Sequence, residues 1–205
     1  MSIAKPTGLP GQYFENMGVT SELCRKVMQA ALKKGGDDCD LYFQHSAGTS
    51  VQLSDKKVNA ASTYLDLGMG VRVVNGDQVG YSYSEDLRPE SLLNAARVAA
   101  EIASSQQSKT VSAPKQRTTP NYYPVTKSWH NIDMGQRVAM IRDWEQRAFA
   151  RDHRVKRVEA FLRDGSSVVM IVRPDGRLFE DWRPATIGFL RCTVEEGNLK
   201  ESNMY

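Results

Sequence analysis

The sequence predicts an α+β protein: antiparallel sheets with flanking helices, in two sub-domains joined by a polar linker. Three observations predict it. Apolar residues alternate with period two in several closely spaced runs, and strands so close in the chain must pair antiparallel, because a parallel partner needs a crossover of about a dozen residues or more. Helical apolar stripes flank those runs. Between them, SSQQSKTVSAPKQRTTPNYYPVTKS (residues 104–128) is polar and proline-bearing and keeps no apolar period.

Taken in order, residues 1–20 read as an N-terminal arm. From Ser21 to Lys34, Leu23, Val27, Met28 and Ala31 form one helical stripe, and Gly35-Gly36 ends it. Alternation then takes over. Leu41 and Phe43 flank Tyr42, and Val51 and Leu53 have polar neighbours. Residues 58–65 make a further extended run, and Met69, Val71 and Val73 share one direction. Asn75-Gly76 is a hairpin turn, after which Val79, Tyr81 and Tyr83 return. A second helix begins at Pro89, with Leu92, Ala95, Ala96, Ala99 and Ile102 as its buried face. Helix, meander and helix make a first domain over 21–103.

After the linker at 104–128, a second α+β region spans 129–205. Asp133 and Gln136 form an acidic variant of the capping box, and Val138, Ile141, Trp144 and Ala148 line the helix that follows. Extended runs are expected at Val155–Leu162, Val168–Val172 and Ala185–Val194, with turns at Asp164-Gly165 and Pro174-Asp175-Gly176. Only one helix is available to cover this second sheet. The second region is therefore expected to be the less stable, and to be cut short before a further domain.

The bulk properties exclude several classes. In 205 residues, 40% apolar and 25% charged, there is material for one good core or two small ones. No apolar run approaches the ~20 residues of a membrane span. The opening MSIAKPTGLPGQYFEN has no apolar h-region and does not read as a secretory signal. Three cysteines, Cys24, Cys39 and Cys192, form no CxxC pair and read as reduced thiols of a cytoplasmic protein. The net charge of +3 hides a basic middle: residues 109–157 carry 11 Lys/Arg against 4 Asp/Glu. Without interleaved aromatics or a reader motif, this is a solvated linker and helix face rather than a nucleic-acid surface.

Chemistry-bearing motifs are sparse. A hydrolytic zinc site takes about three protein ligands, often two His one helical turn apart with a Glu between. His45, His130 and His153 fall at a strand end, in the linker and at a helix end, and do not make such a set. Cys24, on the first helix, and Cys192, within a strand, read as small buried hydrophobes. Cys39 lies beside Asp38 and Asp40, which would raise its pKa and blunt it as a nucleophile. Gly68-Met69-Gly70 is not a dinucleotide fingerprint, since Val73 stands where the third glycine belongs and a strand follows; its glycines read as strand-edge kinks or close-packing points, with Gly80. The residues of interest are structural or interfacial. Arg72 points away from Val71 and Val73 and is either exposed and solvated or a buried or interface arginine paired with a carboxylate. Tyr81 and Tyr83 share one face of their strand, which suits core more readily than a binding platform.

Asp40-Leu41-Tyr42-Phe43-Gln44, then Gly68-Met69-Gly70-Val71-Arg72-Val73, then Gly76, Gly80 and Tyr81-Ser82-Tyr83-Ser84 resemble the first domain of the TldD/PmbA family, also labelled "modulator of DNA gyrase". The wording at 40–44 is closer to the TldD branch. The likeness continues through the helix at 133–150 to Asp175-Gly176 and Arg183-Pro184, covering roughly residues 20–205. It implies a cytoplasmic zinc metallopeptidase that cleaves unfolded peptides and works with a TldE/PmbA-like partner or a second copy of itself. The family's zinc ligands lie in an HExxxH helix and a later cysteine of its C-terminal half. No position here matches them, so the resemblance carries over no catalytic or metal-binding residue. The chain then reads either as the cleft-lining and dimer-scaffold part of such an enzyme or as a complete non-catalytic binding protein on the same fold.

Overall fold

A single sheet of seven strands organises the chain, in the order β3-β2-β1-β5-β6-β4 with β7 also paired to β6. The structure is a computed structural model that describes residues 2–7, 11–102, 110–118, 120, 122 and 124–205. The elements are α1 (Gln12–Glu15), α2 (Ser21–Ala31), β1 (Asp38–Ser54), β2 (Lys57–Asn75), β3 (Gln78–Ser84), α3 (Pro89–Ile102), β4 (Lys115–Arg117), a 3-10 turn (Trp129–Asn131), α4 (Met134–Arg151), β5 (Val155–Val172), β6 (Arg177–Glu196) and β7 (Leu199–Met204).

This corrects the expectation of two separate sheets. β1 pairs with β5 from Leu41↔Val172 to Ser54↔Glu159, so the two halves are joined by one of the longest ladders in the molecule. The extended run at 155–162 therefore has no open edge toward the first half. Of the expected linker, the described stretch 110–118 lies against the sheet: β4 pairs parallel with β6, and Ser112 N–H donates to Pro174 O. Residues 104–109, 119, 121 and 123 lie outside the described residues.

The strands are longer than their turn signals suggest. Asp164-Gly165 is no turn; both residues run through β5, with Gly165 opposite Gly48 of β1. Tyr64 of β2 lies across this pair: a Cβ at Gly48 would come within 2.4 Å of its ring, and one at Gly165 within 2.4 Å of its hydroxyl. The two glycines leave the space the ring occupies. At the β1–β2 hairpin, Asp55 and Lys56 adopt positive φ of 52° and 65°, as a type I′ turn requires. Glu145 of α4 accepts from Lys56 N–H at 3.0 Å and ties the turn to the helix.

One face of the sheet is covered and the other open. Along β1 the odd-numbered residues face the helices. Leu41 and Phe43 join Val27 and Met28 of α2, Leu92 and Ala96 of α3, and Met170 of β5 in the larger core. Val51 and Leu53 join Ile141 of α4, Ala160 and Leu162 in a smaller one. Ile102, expected on the buried face of α3, is 54% exposed, and Ala100 is buried there instead. Between the two cores, the N-terminal arm crosses the sheet. Ser166 Oγ donates to Ile3 O at 2.6 Å, Trp182 Nε1 donates to the same oxygen at 3.2 Å, and Phe14 is fully buried.

A buried ion pair fixes the approach of α4. Arg137 Nε and Nη2 donate to the two oxygens of Asp164 at 2.6 and 2.8 Å, with both side chains almost wholly out of water. The same guanidinium donates to Trp129 O and Ile132 O and lies over the Trp129 ring. The helix start is as the sequence predicts: Asp133 and Gln136 complete a reciprocal capping box.

Candidate functional site

The even-numbered side chains of β1 point away from the helices, onto the open face. Their composition is polar, and no helix among the described residues packs there. Tyr42 donates from its hydroxyl to Gln44 Oε1 at 2.8 Å, Gln44 donates to Ser46 Oγ, and Ser46 meets Ser167 of β5, also at 2.8 Å. This ladder crosses the centre of the sheet and holds its side chains in set positions.

Arg72 lies on this face. It is opposite Asp40 in the β1–β2 register, and its Nε and Nη2 donate to Asp40 Oδ2 at 2.9 and 2.6 Å. The side chain is paired with a carboxylate and at the same time 49% exposed, so it combines parts of both sequence readings. Tyr81 is opposite Arg72 and Tyr83 is opposite Gly70. The core reading of these tyrosines is corrected: they are 58% and 69% exposed, because no layer among the described residues covers the open face. The glycines below them are needed for close approach. A Cβ at Gly70 would come within 2.8 Å of the Tyr81 hydroxyl, and one at Gly68 within 2.8 Å of Ser84 O.

Tyr42, Gln44, Gly68, Gly70, Tyr81 and Tyr83 thus line a shallow groove of about 320 Å³. A second concavity, about 400 Å³, lies on the helix side of β6 between Trp129, Trp182, Pro184 and Ser2. It adjoins the stretch of β6 between its pairings with β4 and β7.

The potential metal donors and nucleophiles do not converge. His45 is in mid-β1 rather than at a strand end, with Nδ1 bonded to the Tyr13 hydroxyl at 2.7 Å and Nε2 buried without a partner. Burial holds its pKa below the ordinary histidine value. His130 Nδ1 bonds to Ser2 O at 2.7 Å, and His153 is at the exposed end of α4. Burial pushes the Cys24 thiol up to about 12. Cys39 is also pushed to about 12, by burial first and by Asp38 and Asp40 next. Among the described residues no group of three or more His, Cys, Asp or Glu side chains could hold a metal ion. No helix among the described residues is long and apolar enough to cross a membrane.

Residues 39–103 match the family model described as PmbA/TldA metallopeptidase domain 1. A metalloprotease TldD homolog of Haemophilus influenzae is 30% identical over 168 residues, covering 80% of this chain and 35% of the relative. The chain belongs to the TldD/PmbA family.

A second TldD homolog, from Buchnera aphidicola of Acyrthosiphon pisum, is 25% identical over 180 residues, covering 88% of this chain and 36% of its own. The chain thus spans about a third of the length of the TldD relatives it matches and corresponds to their N-terminal region. The fold recurs in crystal structures of proteins described as modulators of DNA gyrase. For the one from Thermotoga maritima the TM-score is 0.69 at 16% identity, covering 91% of this chain and 42% of that one. For the one from Bacteroides thetaiotaomicron it is 0.67 at 18% identity, covering 90% and 43%. TldE from Thermococcus kodakarensis shares it at a TM-score of 0.56 and 13% identity, covering 90% and 41%. The TldD/PmbA match at 39–103 takes in Arg72, Tyr81 and Tyr83 and the whole groove between β2 and β3. The groove's composition was not readable from the strand pattern, since which face stays open depends on layers packed from elsewhere.

Proposed function

We propose that this chain is the substrate-cleft and dimer-scaffold part of a TldD-like zinc metallopeptidase that cleaves unfolded peptides. The TldD relationship supports the reaction class, and the open face of the sheet supports the role. That face carries the observation on which the reading rests: two exposed tyrosines over a glycine floor, beside a fixed polar ladder and the Asp40–Arg72 pair. An unfolded peptide offers backbone amides and occasional apolar side chains. Tyr81 and Tyr83 present flat apolar surface with hydroxyl tips, and Tyr42 and Gln44 offer hydrogen bonds that do not depend on peptide sequence.

His45, His130, Cys24 and Cys39 lie on separate elements and are each bonded or buried there, which does not fit a zinc site. In this reading the metal and the groups acting on the scissile bond come from the remainder of the enzyme. The setting is the cytoplasm, and the assembly includes a TldE/PmbA-like partner or a second copy of the chain. Neither nucleic acid nor membrane enters the reading.

Fluorescence anisotropy of labelled unfolded peptides on the purified chain tests the role. Binding should be insensitive to peptide sequence, and Tyr81→Ala/Tyr83→Ala should weaken it about tenfold or more with folding unchanged. Binding that survives the double substitution would place the cleft elsewhere.

A further inference from the structure

Residues 2–7 lie in neither helix nor strand, and among the described residues they make no backbone–backbone hydrogen bond. Side chains from three other elements hold them by two successive carbonyls. His130 of the 3-10 turn donates to Ser2 O, so its Nδ1 carries a proton. Ser166 of β5 and Trp182 of β6 both donate to Ile3 O. With the one Ser166 hydroxyl proton committed there, Ser2 Oγ is the donor in its 3.0 Å contact with Ser166 Oγ. Ile3 packs half-buried against the larger core, while Ala4, Lys5 and Thr7 are exposed. Donors aimed at main-chain oxygens, beside a seat for one aliphatic side chain, are how a cleft grips an extended segment of polypeptide.

We propose that residues 2–7 are an exchangeable strap: they fill a segment-binding cleft in cis and lift to admit another extended peptide with a small residue followed by an aliphatic one. Two observations favour exchange over permanent packing. The first is weak rooting, since a segment with few buried apolar contacts and no ladder opens at low cost. Ile3 is the one aliphatic anchor of the strap, whereas further along the arm Phe14 is fully buried and Val19 is 2% exposed.

The second is what the strap leaves behind. Among the described residues, His130 Nδ1, Ser166 Oγ and Trp182 Nε1 have no acceptor outside it. Lifting it bares three donors, and an incoming main chain satisfies them again. The concavity of about 400 Å³ between Trp129, Trp182 and Pro184 adjoins Ser2, so a segment longer than the strap has room to continue. The cleft is on the helix side of the sheet, with Ser166 opposite Ala47 and Trp182 opposite Val168, and the groove of Tyr81 and Tyr83 is on the other face. The proposal therefore holds whether or not that groove takes peptide.

Fluorescence anisotropy of the N-acetylated peptide Ser-Ile-Ala-Lys-Pro-Thr (residues 2–7), labelled at its C-terminus, tests it. The peptide is titrated with the full chain and with a chain lacking residues 1–7, and circular dichroism checks folding. The shortened chain should bind about tenfold tighter or more, because the cleft of the full chain is already filled. On the shortened chain, Ile3→Asp in the peptide and Trp182→Phe in the protein should each weaken binding about fivefold. No binding to the shortened chain, or equal binding to both chains, would overturn the proposal; equal binding is the result expected if peptide enters the open-face groove alone. A second readout needs no deletion. In the full chain carrying Ser2→Cys, the buried thiol at position 2 should react slowly with iodoacetamide, and excess peptide should speed the reaction by filling the cleft whenever the strap lifts. A rate that peptide leaves unchanged would also overturn it.

Discussion

Removing the guanidinium of Arg137 should be the most damaging single change to this fold. The side chains of Arg137 and Asp164 are 4% and 0% exposed, so neither can be solvated if its partner is lost. In Arg137→Met the methionine fills most of the volume, but the Asp164 carboxyl is left buried without its partner. Breaking a buried pair in this way costs about 3–5 kcal/mol, a large part of a typical stability of ~5–15 kcal/mol. Trp129 O and Ile132 O lose their donor at the same time. The double variant Arg137→Met/Asp164→Leu removes the unpaired buried carboxyl and should be the more stable of the two, although those two carbonyls stay unsatisfied. Urea unfolding followed by tryptophan fluorescence gives both numbers, and Trp129 reports directly on the site. Thermal midpoints should move by about 2–4 °C per kcal/mol for a chain of this size. A loss below about 1 kcal/mol for Arg137→Met, or a double variant less stable than the single, would refute the buried-pair reasoning.

Gly165→Ala should destabilise by about 1–3 kcal/mol, because its Cβ would fall 2.4 Å from the Tyr64 hydroxyl and 2.7 Å from Ala47 O; Tyr64→Ala should recover part of that loss in chemical denaturation. Arg72→Ala should cost no more than about 1 kcal/mol, since the pair with Asp40 is half open to solvent; a thermal shift typical of a core substitution would contradict this. His45 has a folded-state pKa below its unfolded value of about 6.5, burial being the cause. Its neutral form is the one the fold favours, so its contribution is complete above the unfolded pKa and is lost as pH falls through the folded value. Stability measured from pH 7 downward should therefore decline more in the parent chain than in His45→Gln.

Where the sequence reading succeeded, the signal was local. The stripe of Leu23, Val27, Met28 and Ala31 is the buried face of α2, Asp133 and Gln136 form their capping box, and Asn75-Gly76 leads into the turn before β3. It failed where distant residues decide. Asp164-Gly165 has the composition of a turn, but Arg137 holds the aspartate and Tyr64 covers the glycine, so the strand continues. The β1–β5 ladder joins segments more than a hundred positions apart, and no periodicity within either announces it. Without that ladder, one sheet looked like two. Arg72 was legible as a residue that could take a carboxylate, and Asp40 meets it across the strand pair. The exposure of Tyr81 and Tyr83 was not, because alternation gives two faces and does not say which one the helices cover.

The central claim is that this chain furnishes the wall of a peptidase cleft without the metal centre. Its most direct test is to equilibrate the purified chain with zinc, dialyse it, and measure bound metal, binding of an unfolded peptide and cleavage of that peptide on the same sample. The account predicts peptide binding, zinc well below one ion per chain, and no cleavage. One tightly held zinc per chain together with cleavage would contradict it.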